Sequence, residues 1–333
     1  MIFTQPPPVN IISAMKYAIG IDVGGTKINA GIVDRSGKVL RRFMTRAHSE
    51  KDPESVIETI LDAYGSLRSE GGIAEEDLAG TCIGFAGTVN GHTGTVLVSS
   101  NLPAWDHFPL RDHIQRSIGG PVLFDNDTNL CALGEHRFGA GRGSSNMCYV
   151  TLSTGFGLGI ILENRLYLGN TGTAGEIGHA VVVAGGCPCT CGKKGCLMAY
   201  TSAVGLSRMA YEAIDAGKET LLRRWLPADG SRFRGEDIAE AARQGDAVAV
   251  SILSTAGSYF GIGLSWIVQI INPELIVVGG GLTRAGPILM DAASAALKEN
   301  VQPQLADSAR LVSWQLGDDL GVIGAAAKVF AGS

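Results

Sequence analysis

Positive charge is not in surplus in this 333-residue chain, where 27 Lys and Arg stand against 32 Asp and Glu for a formal net charge of −5. With no global positive field to draw in nucleic acid or an anionic membrane, any polyanionic ligand has to be held locally. Long apolar runs are missing as well. The most membrane-like stretch, residues 256–278, is interrupted by Gln269, Asn272, Pro273 and Glu274, whereas a spanning helix wants about 20 continuous apolar residues. A buried helix followed by a buried strand is the expectation there. Residues 1–14 contain Pro6-Pro7-Pro8 but neither a basic n-region nor a sustained apolar stretch. They therefore read as a loose extension and not as a secretory signal, which makes the protein cytoplasmic by expectation. No segment rich in Pro, Ser or charge marks a linker. Charged residues are only 18% of the chain against 45% hydrophobic, which excludes dominant disorder. The length excludes one small domain.

What is present is glycine. The 46 glycines gather in knots such as Gly24-Gly25, Gly155/Gly157/Gly159 and Gly279-Gly280-Gly281, which mark turns where the backbone comes close to something. The seven cysteines are uneven. Cys187, Cys189, Cys191 and Cys196 crowd together, while Cys82, Cys131 and Cys148 lie in apolar runs and read as core thiols.

Residues 16–22 form an apolar strand turned by Gly24-Gly25, and residues 27–33 lead back out to a turn at Arg35-Ser36-Gly37. The pattern recurs. Strands at 148–152 and 158–162 flank Gly155 and end at Glu163-Asn164, so Gly24 and Gly155 occupy equivalent places and two similar domains are expected. Between the copies, Asp52-Pro53-Glu54 starts a helix whose stripe of Val56, Ile57, Ile60, Leu61, Tyr64 and Leu67 runs to Gly71-Gly72. Strands follow at 81–85 and 122–124. Beyond the second copy the pattern predicts helices over 203–213 and 247–271, a strand at 275–278, a helix over 287–297, a strand at 311–314 and a terminal helix from Val322. Hairpins leading into alternating helices and strands give an α/β class. The hinge is expected where the first domain's last strand runs into Asp127, which assigns 15–126 and about 320–333 to a small lobe and 127–319 to a larger one.

Asp22-Val23-Gly24-Gly25-Thr26-Lys27 at the first hairpin tip reads as a phosphate cradle or as a plain tight turn. It is not a P-loop, because a strand follows it instead of a helix. Ser153-Thr154-Gly155 repeats the small hydroxylated turn in the other copy, and two facing hairpins suit a polyphosphate between domains.

Together, residues 22–27, Asn126-Asp127, the run from Leu152 through Gly155, Gly157, Gly159, Gly169 and Gly178 to His179, and Cys189-x-Cys191-Gly192-x-x-Gly195-Cys196 resemble the repressor/open reading frame/kinase (ROK) family of sugar kinases. The likeness runs from Lys16 nearly to the C-terminus. It implies the two-lobed, actin-like, hexokinase-type (ribonuclease-H-like) fold with a central cleft, a homodimer or higher homo-oligomer, and a cytoplasmic ATP-dependent hexose kinase acting on the 6-hydroxyl. Glucose is the first candidate; N-acetylmannosamine, fructose and allose come behind it.

Phosphoryl transfer needs a carboxylate to take the hydroxyl proton, with Mg²⁺ and donors to spread charge. Asp127 stands at a strand end where a helix opens, and the resemblance makes it the catalytic base and a sugar contact; a helix cap is the bland alternative, and Asp125 is a competitor off the motif. The resemblance further implies sugar contacts at Gly87, Asn101, Asn126, Glu176 and His179. It implies ATP contacts at Asp22, Gly24, Gly25, Thr26, Lys27, Ser153, Thr154, Gly155, Gly280 and Gly281. His179, Cys189, Cys191 and Cys196 supply the four N/S ligands that structural Zn²⁺ prefers, in a loop over 179–196. Disulfides are the alternative, disfavoured for cytosolic thiols, and Cys187 leaves the register ambiguous.

One residue departs from the family. Met198 stands where a sugar-binding Glu is usual, and a thioether is a weak acceptor, so a sugar sensor without turnover is a second reading. Family members that repress transcription carry a DNA-binding domain ahead of the first hairpin; about 20 residues precede Asp22, and no nucleic-acid or membrane partner is expected.

Overall fold

Apolar residues in the hairpin pattern make β1 (Tyr17–Val23), β2 (Lys27–Asp34) and β3 (Val39–Arg46) successive antiparallel strands. The computed structural model describes residues 15–25, 27–46, 52–99 and 103–332; the extension expected over 1–14, with Thr26 and Asn101, lies outside the described residues. Helix α1 (Pro53–Gly71) begins where Asp52 accepts the Ser55 N–H and Pro53 takes the first turn, and stops at Gly72 in the left-handed region. Then come β4 (Leu78–Phe85), β5 (Thr88–Asn90), β6 (Thr95–Val98), α2 (Leu110–Ile114), β7 (Val122–Asn126) and α3 (Asp127–Phe138). The second copy opens with β8 (Met147–Leu152), β9 (Phe156–Leu162) and β10 (Arg165–Leu166). It continues through α4 (Met198–Thr201), α5 (Ala203–Asp215), α6 (Gly235–Arg243), α7 (Ala247–Ile271), β11 (Leu275–Gly279), α8 (Pro287–Asn300), β12 (Arg310–Ser313) and α9 (Leu320–Ala331).

The two five-stranded sheets have the same order, β3-β2-β1-β4-β7 and β10-β9-β8-β11-β12. This is the internal repeat in three dimensions. In the first, β1, β4 and β7 are parallel and in register through Asp22↔Gly84 and Gly84↔Asp125. In the second, β8, β11 and β12 are parallel. Helix α7 is long and apolar enough to cross a membrane by length and composition, yet half of its apolar window is buried against its neighbours, in keeping with the buried helix and strand expected over 256–278.

The chain divides into two compact units. One holds Met1–Ser145, Gly159–Ala174 and Trp314–Ser333; the other holds Asn146–Leu158 and Gly175–Ser313. Helix α3 therefore groups with the first unit, past the boundary expected at residues 126 and 127. The reason is its partner: Gly134 of α3 meets Gly324 of α9 at backbone distance, 3.1 Å from a would-be Cβ to the Gly324 Cα. The first unit's core joins Ile19, Ile21, Ile28 and Ile83 of the sheet to Ile60 of α1 and to Trp105. On the other face, Val322, Ala325 and Val329 of α9 pack with Ala18, Cys82 and Leu130.

Candidate active site

Parallel strands present their carboxyl ends together, which is where open α/β sheets hold ligands. In the first unit these ends carry Asp22 on β1, Gly87 just beyond β4, and Asn126-Asp127 where β7 becomes α3. Asn126 is the helix cap. Its Oδ1 accepts the N–H groups of Thr128 (2.9 Å) and Asn129 (3.2 Å), and its Nδ2 donates to the Gly87 carbonyl at 2.9 Å. Capping therefore falls to Asn126, and Asp127 is the first helical residue, partly exposed, with Oδ1 accepting from the Thr128 N–H at 2.7 Å.

Asp125 is withdrawn from any such role. It is fully buried, paired with Lys328 of α9, and its Oδ1 accepts from the Asn126 N–H (2.8 Å) and from Asn129 Nδ2 (2.9 Å). Asp22, by contrast, lies over the start of α9, where a Cβ on Gly321 would stand 2.5 Å from its Oδ2. Burial, with the Asp127 charge beside it and only Lys27 opposing, pushes its carboxyl up to about 7. A buried carboxyl with a second carboxylate beside it makes a site that favours a cation. At the hairpin tip the Gly24 N–H donates to the Lys27 carbonyl at 3.0 Å, so it closes the turn, and Lys27 is exposed.

The second unit repeats the tip at Ser153-Thr154-Gly155, where the Ser153 N–H donates to the Gly155 carbonyl at 3.0 Å. Gly280 follows β11 with φ +94, and a Cβ there would lie 2.2 Å from the Leu152 carbonyl, so only glycine lets β11 and β8 end side by side. Gly281 begins a short 3₁₀ turn. Glu176 and His179 occupy another 3₁₀ turn, entered through Gly175 at φ +100 and 2.0 Å from the Leu158 carbonyl at its would-be Cβ. His179 Nε2 stands 4.0 Å from Glu176 Oε2.

The other ring edge of His179 faces sulfur. Its Nδ1 is 3.6 Å from Cys189 Sγ, Cys191 Sγ is 3.7 Å from Cys196 Sγ, and one ligand atom from each of the four residues falls within 4.8 Å of all the others. Sulfurs on a tetrahedron with Zn–S of about 2.3 Å lie about 3.8 Å apart, whereas a disulfide needs about 2.05 Å. The donor set fits zinc. Cys187 is outside the group, its N–H donating to the Tyr200 hydroxyl at 2.9 Å, which resolves the register. Burial and the neighbouring Cys189 and Cys191 thiols push Cys196 up to about 12; a dication is what allows such thiolates to coexist.

Met198, buried at the start of α4, places its Cε 3.9 Å from a would-be Cβ on Gly155. The methionine thus lies beside the second hairpin tip. Lys328 is a residue that sequence reasoning passed over. Its signal is a single charge in the Ala-rich terminal helix.

Residues 18–331 match the model of the ROK family, and the chain belongs to that family. It is 35% identical over 310 residues to a glucokinase of Halalkalibacterium halodurans, covering 93% of each chain. Its fold aligns with a ROK family glucokinase of Streptomyces griseus, solved in complex with glucose and AMPPNP, at a TM-score of 0.79 and 37% identity over 93% of this chain and 98% of that one. The architecture is accordingly the actin-like, hexokinase-type α/β fold. A xylose repressor of Bacillus spizizenii is 28% identical over 95% of this chain and 78% of its own.

Proposed function

We propose that this ATP-dependent sugar kinase transfers the γ-phosphate of ATP to the 6-hydroxyl of a hexose, glucose first, in the cytoplasm. The observation that carries the reading is the pair of carboxylates at the ends of β1 and β7, with Asp22 lying over Gly321 of α9 and its carboxyl pushed up first by burial and then by the charge of Asp127. Asp127 accepts the hydroxyl proton as the hydroxyl oxygen attacks the γ-phosphorus and the bond to the ADP oxygen breaks. Asn126 holds the base in place by capping α3 and tying it to Gly87. Asp22, Gly24, Gly25, Thr26 and Lys27 serve the phosphates from the first hairpin tip, and Ser153, Thr154 and Gly155 from the second; Gly280 and Gly281 lie against the adenosine. The Asp22 carboxylate is the group of this chain suited to hold Mg²⁺, which would supply charge neutralisation for the phosphates when bound with ATP.

Glu176 and His179 read sugar hydroxyls, with Gly87 and Asn101 as further contacts. His179, Cys189, Cys191 and Cys196 would hold a structural zinc, which would orient the His179 ring toward the sugar. A homodimer or larger homo-oligomer is part of the same proposal.

Met198 favours one alternative, a sugar-binding sensor without turnover, because the thioether gives a sugar hydroxyl no strong acceptor. Measuring ADP release from Mg²⁺-ATP over a panel of hexoses separates the two. Turnover with at least one hexose is expected, and sugar binding without ADP from any of them supports the sensor.

A further inference from the structure

We propose that Lys328 is a positioning residue for the Asn126–Asp127 pair, an inference that rests on Asp127 being the base. Helix α9 is otherwise apolar where it is buried: Ala325, Ala326, Ala327, Val329 and Phe330 surround the lysine and are all 7% exposed or less. A charge in such a setting carries a desolvation cost that an apolar residue avoids, and replacing a buried ion pair by apolar groups is often neutral or stabilising. Stability alone therefore gives no reason for an ion pair here. Geometry does.

Lys328 Nζ bonds Asp125 Oδ2, with 14% of the lysine side chain exposed and none of the carboxylate. That bond sets the plane of the Asp125 carboxylate, whose Oδ1 receives the Asn126 N–H at 2.8 Å and Asn129 Nδ2 at 2.9 Å. Asn126 in turn receives the N–H groups of Thr128 and Asn129. Asp127 is thus the one residue between two pinned segments, the end of β7 and the first turn of α3. The pinning charge comes from 203 residues further along the chain. The same helix passes under Asp22 at Gly321, so one rigid element braces both carboxylates of the site. Removing Lys328 leaves the buried Asp125 without its counter-ion and its Oδ2 without a donor, so that the carboxylate shifts or draws in water and the β7–α3 junction moves with it.

The experiment compares full-length wild type, Lys328→Met, Lys328→Arg and Asp127→Asn, with Mg²⁺-ATP and the hexose that wild type turns over best. Misplacement of a catalytic group by about 1 Å costs on the order of 10²-fold. Lys328→Met is expected to lose about that factor in kcat while KM for ATP and sugar stays within about threefold, the pattern of an interaction needed only in the transition state. Lys328→Arg keeps the charge and should recover kcat to within about tenfold of wild type. Amide exchange at Asn126, Thr128 and Asn129 should quicken in Lys328→Met while that of α9 does not.

If Lys328→Met does not fold, the Asp125→Asn/Lys328→Met double variant, which leaves no charge unpaired, is judged by the same values. A folded variant with near-wild-type kcat, or a loss that arginine does not recover, overturns the proposal. Near-wild-type kcat in Asp127→Asn overturns instead the reading on which it rests.

Discussion

Asp22 couples stability to pH in a direction opposite to that of an ordinary surface carboxylate. Its native pKa of about 7 lies above the reference 3.8, so between these values the unfolded chain ionises while the native one stays protonated. Stability then falls as pH rises through that window and the full cost is present above it. Asp22→Asn should therefore raise the melting temperature of the nucleotide-free, Mg²⁺-free protein at pH 8 and leave it unchanged at pH 3.5, by about 2–4 °C for each kcal/mol of relieved penalty. Thermal unfolding at the two pH values checks this; a variant no more stable at pH 8 would show that Lys27 already neutralises the site. The same substitution should cost most of the turnover. Met198 belongs to the same scale. Met198→Glu sets an ionised acceptor beside Gly155, and hydrogen bonds to charged groups contribute roughly 1.5–3 kcal/mol. Glucose KM should fall by about tenfold or more relative to other hexoses, and a loss across all sugars in steady-state kinetics would mean the pocket is built around the thioether.

Among the elements, the loop from Glu176 to Cys196 is the one that the proposed zinc would tie together. Its backbone bonds are turn and loop bonds, among them Val182 N–H to Gly195 O at 2.8 Å and Cys189 N–H to Lys193 O at 2.8 Å, and its four ligand residues converge from both ends. Elemental analysis of protein purified without chelator should find about one zinc per chain. Cys191→Ser or Cys196→Ser should lose the metal, raise the sugar KM and lower the melting temperature together, because binding energy at such a site is folding energy. Metal loss with unchanged sugar kinetics would make the cluster a remote staple. Elements with local signals were legible in the sequence for the same reason that they are stable. Asp52, Pro53 and Gly72 bound α1 with their own side chains and backbone, and Glu163 and Asn164, both at positive φ, turn β9 into β10. Which of Asn126 and Asp127 caps α3 was not legible, since both residue types cap well; the tie of Asn126 to Gly87, 39 residues away, decides it.

At the scale of the whole molecule, the repeat was readable from two glycine turns because each hairpin tip is a local event. The matching sheet orders and the crossing of Gly134 with Gly324, which draws α3 and α9 into one unit, are long-range packing that no periodicity encodes. The Lys328–Asp125 pair is of the same kind. The proposed function turns on one carboxylate, and the most direct measurement is ADP formation from Mg²⁺-ATP over a hexose panel by wild type and Asp127→Asn, with sugar affinity measured alongside. Loss of a positioned general base commonly costs about 10²–10⁴-fold in rate. Turnover by wild type, with a kcat loss of that size in Asp127→Asn and sugar binding largely kept, is the predicted result. Absence of turnover with every hexose, or a variant close to wild-type kcat, would contradict the account.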